Sequence, residues 1–382
     1  MKSYRIASIP GDGVGQEVAV EALKILDAVA DKYGIHFDIE HLDWGSDYYV
    51  THQRMMPEDG LDRLRDFDAI FLGSVGDAQK VPDHISVSLV LDIRKAFDQY
   101  VNLRPIKLFP GVQTQIRTAT PESVNMVVVR ENTEGEYANI GGFFKPNTND
   151  GVAVQTAVFT QKGCERVMRY AFELAKKRRD LSEGPGRVTS ATKSNALGYS
   201  MVFWDAVFKQ VLAEYPDVET ESALVDALSM WLIRNPDRYD VIVCSNLFGD
   251  ILTDLGAMLQ GGMGMAAGGN INPEKDYPSM FEPIHGSAPD IAFKGIVNPV
   301  ASIESIRMMM HHFGETESAA DIEQAVTAVM NEGRIRTVDL GGNSKTAEVG
   351  DEIVRVFRNT RCLKKPVKNS YLTLPAVHAD ML

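Results

Sequence analysis

Two carboxylates, Asp250 and Asp254, stand four residues apart in the stretch Ser245-Asn246-Leu247-Phe248-Gly249-Asp250-Ile251-Leu252-Thr253-Asp254. The apolar run Val241-Ile242-Val243-Cys244 before it reads as a buried strand, and the stretch itself as the opening of a helix. On a helix, side chains four apart share a face with their β-carbons about 5–6 Å apart. Two like charges so placed repel unless a cation lies between them, and Mg²⁺ and Mn²⁺ take oxygen ligands of this kind. A lone D-x-x-x-D is more often a solvated helix face, so the metal reading depends on the rest of the chain.

Three arginines are the candidate anion site: Arg94 late in a helical segment (89–100), Arg104 opening an Arg-Pro extended stretch, and Arg130 at the end of a strand over 125–129. Guanidinium forks bind carboxylates bidentately, so converging arginines suit a di- or tricarboxylate, whereas each taken singly reads as a surface or salt-bridge residue. The loop Phe281-Glu282-Pro283-Ile284-His285-Gly286-Ser287-Ala288-Pro289-Asp290-Ile291 packs an acid, a histidine, a serine and two shape-holding prolines together, which points to a ligand loop. The backbone N–H groups of Gly286–Ala288 suit a phosphate, and Asp290 suits a ribose diol while disfavouring a 2′-phosphate. Lys193, after a short strand over 187–190, is a candidate buried amine of lowered pKa, and Tyr137 a candidate proton donor. Gly11-Asp12-Gly13-Val14-Gly15 is a weak dinucleotide fingerprint: its spacing is wrong and Asp12 would repel a phosphate, so it predicts a tight strand-to-helix turn.

The 382 residues are 44% hydrophobic and 24% charged, with 39 basic against 52 acidic side chains and a net charge of −13. That balance argues against nucleic-acid binding through a broad basic face and requires a local arginine cluster for any anionic ligand. Cys164, Cys244 and Cys362 are distant and odd in number, so neither a disulfide framework nor a zinc site is expected, and Cys244 reads as core. The chain enters a strand at once, without a long apolar leader, and no run approaches the roughly 18 apolar residues of a membrane span; the cytoplasm is the expected location, with no membrane partner.

The elements that must position these groups alternate short apolar runs with amphipathic stretches, the pattern of an α/β protein of two or three domains. Strands are expected at 6–9, 37–42 and 69–72, the last ending in Gly73-Ser74-Val75-Gly76, with a helix to about Tyr33 and another over 163–179 whose basic end suits the helix dipole. The segment 141–151 reads as an exposed loop or arm, 261–269 as a glycine-rich crossover between domains, and the tail after Arg358, with Lys364-Lys365-Pro366, as an extension or partner contact.

Four ordered motifs, R-x(9)-R-P, V-R-E-N-T-E-G-E-Y, N-L-F-G-D-I-L-x-D and E-P-I-H-G-S-A-P-D-I, make the chain resemble the β-decarboxylating dehydrogenases, which act on isopropylmalate, isocitrate, homoisocitrate and D-malate or tartrate. The resemblance runs from about Tyr4 to Phe357. Segments 43–49, 55–57, 81–86 and 97–100 look most like the D-malate/tartrate branch. It implies a two-domain, three-layer α/β/α fold of the isopropylmalate dehydrogenase type, not a Rossmann fold: a large cofactor domain from 1–103 and 260–382, and a small domain, 104–259, carrying the dimer interface and an arm near 138–160.

By the same resemblance, Arg94, Arg104 and Arg130 hold the malate-like core of the substrate, Tyr137 and Lys193 are the acid–base pair, and Asp226 joins Asp250 and Asp254 on Mg²⁺ or Mn²⁺. Lys193 and Asp226 come from the partner subunit, so a homodimer or larger assembly is implied. Gly73, Ser74, Val75, Gly76, Glu282, His285, Gly286, Ser287, Ala288, Asp290, Ile291, Asn298 and Asp339 fall in the NAD pocket, with Glu282 near the nicotinamide, and a monovalent cation such as K⁺ is a further expected ligand. Substrate choice falls to the helix turns before Arg94: Ser88 resembles a serine that contacts the third carboxylate in isocitrate enzymes, and Val90 and Leu91 suit an alkyl pocket as in isopropylmalate enzymes. The implied activity is NAD-dependent oxidative decarboxylation of D-malate or tartrate, with isopropylmalate and isocitrate as alternatives. Some family members are regulatory subunits that have lost the lysine, the tyrosine or an aspartate; this chain keeps them all.

Overall fold

A computed structural model describes residues 2–360. Cys362 and the tail with Lys364-Lys365-Pro366 lie outside the described residues. Among the described residues twelve strands run β1 (Ser3–Gly11), β2 (His36–His41), β3 (Ala69–Ser74), β4 (Val101–Lys107), β5 (Asn125–Glu131), β6 (Gly135–Phe144), β7 (Val152–Val158), β8 (Arg187–Thr192), β9 (Glu219–Leu224), β10 (Val241–Cys244), β11 (Ala267–Ile271) and β12 (Ser279–Pro283). Ten of them form one sheet in the order β2-β1-β3-β12-β11-β4-β5-β10-β8-β9, with helices in layers on either side, an α/β/α arrangement.

Strand directions divide that sheet. β2-β1-β3-β12 pair in parallel at one end and β5-β10-β8-β9 at the other, while β12–β11, β11–β4 and β4–β5 are antiparallel. This mixed centre separates the fold from the all-parallel Rossmann sheet. β3 and β10 are buried at every position, as strands covered on both faces must be, and their sequences are near-continuous apolar runs. β2, at the sheet edge, is largely exposed.

The expected Asn125–Val129 strand extends to Glu131, and the helix that carries Arg94 is Ser88–Ala96, ending four residues earlier than expected because Phe97 caps it and Asp98 takes a left-handed φ of 41°. The segment 141–151 is exposed, as expected, but it is the tip of a hairpin arm more than a loop. β6 and β7 pair as far as Phe144 opposite Val152, so only 145–151 is loop; Ile140, Phe143, Phe144, Val152 and Val154 are strand formers despite the glycines among them. In 261–269, Gly261 and Gly262 (φ 112° and 130°) turn the chain, but Ala267–Gly269 already belong to β11.

The basic end of the Gln161–Asp180 helix does more than face a dipole. Arg178 is wholly buried and donates from Nε to Asp240 Oδ1 at 2.6 Å; the other Asp240 oxygen accepts from the Gly186 and Arg187 backbone. Asp240→Ala would strand the Arg178 charge in the core, so the unfolding free energy should fall by about 3–5 kcal/mol. Denaturant titration checks this, and an unchanged midpoint would refute it.

Candidate active site

Register brings the polar residues of the sheet centre to one face. Asn102 of β4 lies opposite Asn270 of β11 on one side and Arg130 of β5 on the other, and Asn270 lies opposite Met280 of β12. Directly paired residues share a face and alternate residues return to it, so Arg104 and Glu282 join the same row. The Asn246–Leu259 helix lies over β4 and β5 and brings Asp250 to this row. Its close approach needs glycine. A β-carbon at Gly249 would stand 2.5 Å from Arg130 Cγ, and one at Gly256 2.2 Å from Ile106 Cδ1.

Charge is concentrated here. Arg130, 1% exposed, donates from Nη1 to Asp250 Oδ1 at 2.5 Å, and from Nε and Nη2 to Asn246 Oδ1 at 3.0 and 2.7 Å. Arg104 Nη1 stands 3.5 Å from the same Asp250 oxygen and donates to Thr253 Oγ1, while its Nε donates to Asn102 Oδ1 at 2.6 Å. Arg94 Nη2 donates to Glu282 Oε1 at 2.9 Å. Burial, with Arg130 adding to it, lowers Arg104 to about 9, and burial likewise lowers Arg130. For Asp250, burial raises the pKa, but Arg130 and Arg104 outweigh it and hold the carboxyl below its ordinary value. The Tyr137 hydroxyl donates to Asp250 Oδ2 at 2.8 Å; burial first, then this carboxylate, push the phenol up to about 12, so it keeps its proton at neutral pH. A carboxylate of the chain itself therefore sits among guanidinium groups able to hold an anion.

A second constellation stands apart. Lys193, just past β8, pairs its Nζ with Asp226 Oδ1 at 2.7 Å, at the first turn of the Val225–Arg234 helix. The expectation of a buried Lys193 amine is corrected: the side chain is partly exposed and satisfied by an exposed carboxylate, whose pKa the lysine lowers. Asp254 is exposed one turn from Asp250. Among the described residues no three His, Cys, Asp or Glu side chains are placed to hold a metal ion, so Asp226 does not complete the Asp250–Asp254 pair within one chain.

The predicted cofactor residues gather where β1, β3 and β12 end. Asp12 accepts from Ser46 N and Oγ at 2.8 and 2.7 Å and from Gly76 N at 2.8 Å, Ser74 Oγ donates to the Asp12 carbonyl, and Ser287 Oγ donates to the Gly76 carbonyl. Gly13, at φ 55°, lies against the Ser287 carbonyl, which also accepts from Val14 N at 2.8 Å. A β-carbon at Gly73 would stand 2.3 Å from the Pro10 carbonyl, and Val75 packs on the neighbouring apolar cluster. The strand-to-helix turn is thus as expected, and its acid ties loops together. His285 Nε2 is buried without a partner and burial lowers its pKa; Gly286 faces open space; Asp290 is exposed. Ala288 and Ile291 pack on Val14 and Val18, and Asn298 donates to Asp339 at 3.1 Å.

On the Ser88–Ala96 helix the three specificity positions separate. Ser88 lines a cleft of about 350 Å³ with Met55, Met56 and Asp92, which includes none of the three arginines above. Val90 is packed in the apolar cluster of Leu89, Ile93 and Phe97, so it is core and not open pocket wall; Leu91 stays partly open. Sequence reading passed over Asn246, Asn102, Asn270, Thr253 and the tethering role of Asp12. The available signal was position: Asn102 and Asn246 each lie within four residues of a motif arginine or aspartate.

The profile of the isocitrate/isopropylmalate dehydrogenase family matches residues 5–353. A probable tartrate dehydrogenase/decarboxylase of Bacillus subtilis (strain 168) is 49% identical over 360 residues, 94% of this chain and 99% of that protein. The D-malate dehydrogenase [decarboxylating] of Escherichia coli (strain K12) is 44% identical over 94% of this chain and 99% of that protein, and the 3-isopropylmalate dehydrogenase of Thermobifida fusca (strain YX) 44% over 93% and 98%. The solved structure of isocitrate dehydrogenase from Methylococcus capsulatus superposes with a TM-score of 0.82 at 36% identity, covering 93% of this chain and 99% of that one. The chain belongs to the isocitrate/isopropylmalate dehydrogenase family and is a decarboxylating dehydrogenase of a hydroxy acid.

Because Asp250 competes for Arg104 and Arg130, Asp250→Asn should bind malonate about tenfold more tightly than the parent in chelator-treated protein, about 1.4 kcal/mol. The carboxylate's lowered pKa adds stability that is present above its unfolded value and lost as pH falls through the lower folded one. The variant should therefore lack part of the acid limb of the stability profile. Calorimetric titration and acid unfolding check both, and equal malonate affinity would count against the competition.

Proposed function

We propose that this chain oxidises D-malate or tartrate with NAD⁺ in the presence of Mg²⁺ or Mn²⁺ and releases the β-carboxylate as CO₂. The observation that carries this reading is the pairing of buried Arg104 and Arg130 around one carboxylate with a protonated Tyr137 beside it. Such an arrangement suits an acid with a second carboxylate, which the arginines fix, and a carbon that must later be protonated.

The residues suit both the divalent ion and the nucleotide. Asp250 and Asp254 offer hard oxygen donors on one helix face, and Asp254 has no side-chain partner among the described residues. The unpartnered, buried Nε2 of His285 and the open space at Gly286 suit an adenine-nucleotide group, and Asp290 keeps its carboxylate exposed for a ribose diol. Asp226 and Lys193 would reach the site from a second copy. The apolar surface left on Met230, Trp231, Ile233, Ile251 and Met258, and on Phe143 and Phe144 of the β6–β7 hairpin, supports such a dimer.

When bound, NAD⁺ would accept the C2 hydride and the divalent ion would polarise the C2 oxygen. Lys193, as the neutral amine once its pair with Asp226 is opened, would take the C2 hydroxyl proton; Arg94, Arg104 and Arg130 would orient the acid, and Tyr137 would give its proton to the enol carbon left by CO₂. The 44–49% identity to proteins named for tartrate and D-malate supports the four-carbon substrate. The burial of Val90 supports it over isopropylmalate, since only Leu91 remains partly open to an alkyl group.

Steady-state assays with D-malate, L- and meso-tartrate, isopropylmalate and isocitrate should give turnover on at least one of the first three, with NAD⁺ preferred to NADP⁺ and activity abolished by EDTA and restored by Mn²⁺. Negligible turnover of all three would refute the proposed substrate. Tyr137→Phe and Lys193→Ala should each lower kcat by about 10²-fold or more.

A further inference from the structure

Two of the three arginines, Arg104 and Arg94, are not independently held. Arg104 Nε donates to Asn102 Oδ1 at 2.6 Å, Asn102 Nδ2 donates to Asn270 Oδ1 at 2.7 Å, and Asn270 Nδ2 donates to Glu282 Oε1 at 2.8 Å; that same oxygen accepts from Arg94 Nη2 at 2.9 Å. We propose that Asn270 is a positioning residue, the middle of a buried amide relay that sets Arg104 and Arg94 at a fixed separation for the two ends of the substrate.

The chemistry of the site favours a dedicated relay. Asn270 is fully buried in β11, at the centre of the sheet, where asparagine is a poor strand former and a branched apolar residue would pack without needing partners. Its amide is oriented without ambiguity: Oδ1 accepts from Asn102 and, at 3.0 Å, from Asn132, and Nδ2 faces a carboxylate. Turning it over would set an NH₂ against two NH₂ donors and an oxygen against Glu282. From Arg104 to Glu282 every bond donates in one direction, so each polarises the next. Gly268, next to Arg104 Cγ, keeps the strand bare there, and Asn132 is a side branch that also donates to the Gln99 carbonyl.

This inference rests on the proposed role of the arginines as carboxylate holders, and the test separates the two. Asn270→Asp keeps the shape and the acceptor toward Asn102 but places a carboxylate against Glu282, with Arg94 and Arg104 as the nearest cations. Near pH 8 the substrate KM should rise about tenfold or more with a smaller change in kcat; near pH 6, once one of the two acids takes a proton and the donor is regained, KM should return to within about threefold of the parent. Asn132→Ala should lose comparable stability without this shift in KM. A KM for Asn270→Asp that matches the parent at both pH values, or one that is raised equally at both, would overturn the relay. If the parent turns over none of the acids, the functional reading falls instead, and the relay is judged by the same pH-dependent loss in malonate affinity measured by calorimetry.

Discussion

Buried positive charge is the constraint that organises this molecule. Arg104 and Arg130 lie side by side in the sheet centre, where burial first, and neighbouring guanidinium charge after it, pull their pKa values down. Each unpaired guanidinium there would cost several kcal/mol. Asp250 answers that cost for both, and its helix must come close enough to deliver it. The two bare glycine contacts, at Gly249 and Gly256, follow from that requirement. So do the amides of Asn246 and Asn102, which take up the guanidinium donors Asp250 does not reach. One carboxylate thus fixes helix depth, sheet composition and the resting state of the anion site together.

A similar economy governs the ends of β1, β3 and β12. An acid inside a glycine turn looks wrong for a phosphate site if its charge faces the ligand. Asp12 turns instead toward Ser46 and the Gly76 amide, binding three loops whose backbones would otherwise be free to separate. Its charge is spent on neutral donors inside the protein. The glycine turn is therefore structural, as its spacing suggested, and it holds together the loops that carry the proposed cofactor residues.

What could be read from the sequence followed from period and local chemistry. Apolar runs such as Ala69–Leu72 and Val241–Cys244 are continuous because both faces of those strands are covered, so they announced themselves. The ordered motifs carried the family. Partners separated by more than a hundred residues could not be read that way. Asn102 and Asn270 meet only because antiparallel register in the sheet centre aligns them, and Arg130 and Asn246 only because the parallel β5–β10 pairing sets Arg130 opposite Cys244, two residues before Asn246. Exposure was equally hidden: Lys193 sits among small polar residues that fit a buried amine, and only the position of Asp226 shows it paired at the surface. The Gly141–Phe144 segment misled for a local reason, since glycine density outweighed the strand formers beside it.

The resting geometry also bears on how the site discriminates among acids. Asp250 holds Arg130 and, more loosely, Arg104, while Arg94 is occupied by Glu282. An entering carboxylate must match these contacts before it gains anything, because each guanidinium it recruits is already satisfied. A monocarboxylate would exchange one ion pair for another and bind weakly. An acid whose second carboxylate spans Arg104 and Arg130 replaces both Asp250 contacts at once, which frees Asp250 to turn toward Asp254. On the proposed metal reading, two carboxylates one helix turn apart would then favour a cation, so that anion and cation would each improve the site for the other. Mutual dependence of this kind would select for molecules that carry both a second carboxylate and a chelating hydroxyl, without any contact to the rest of the substrate.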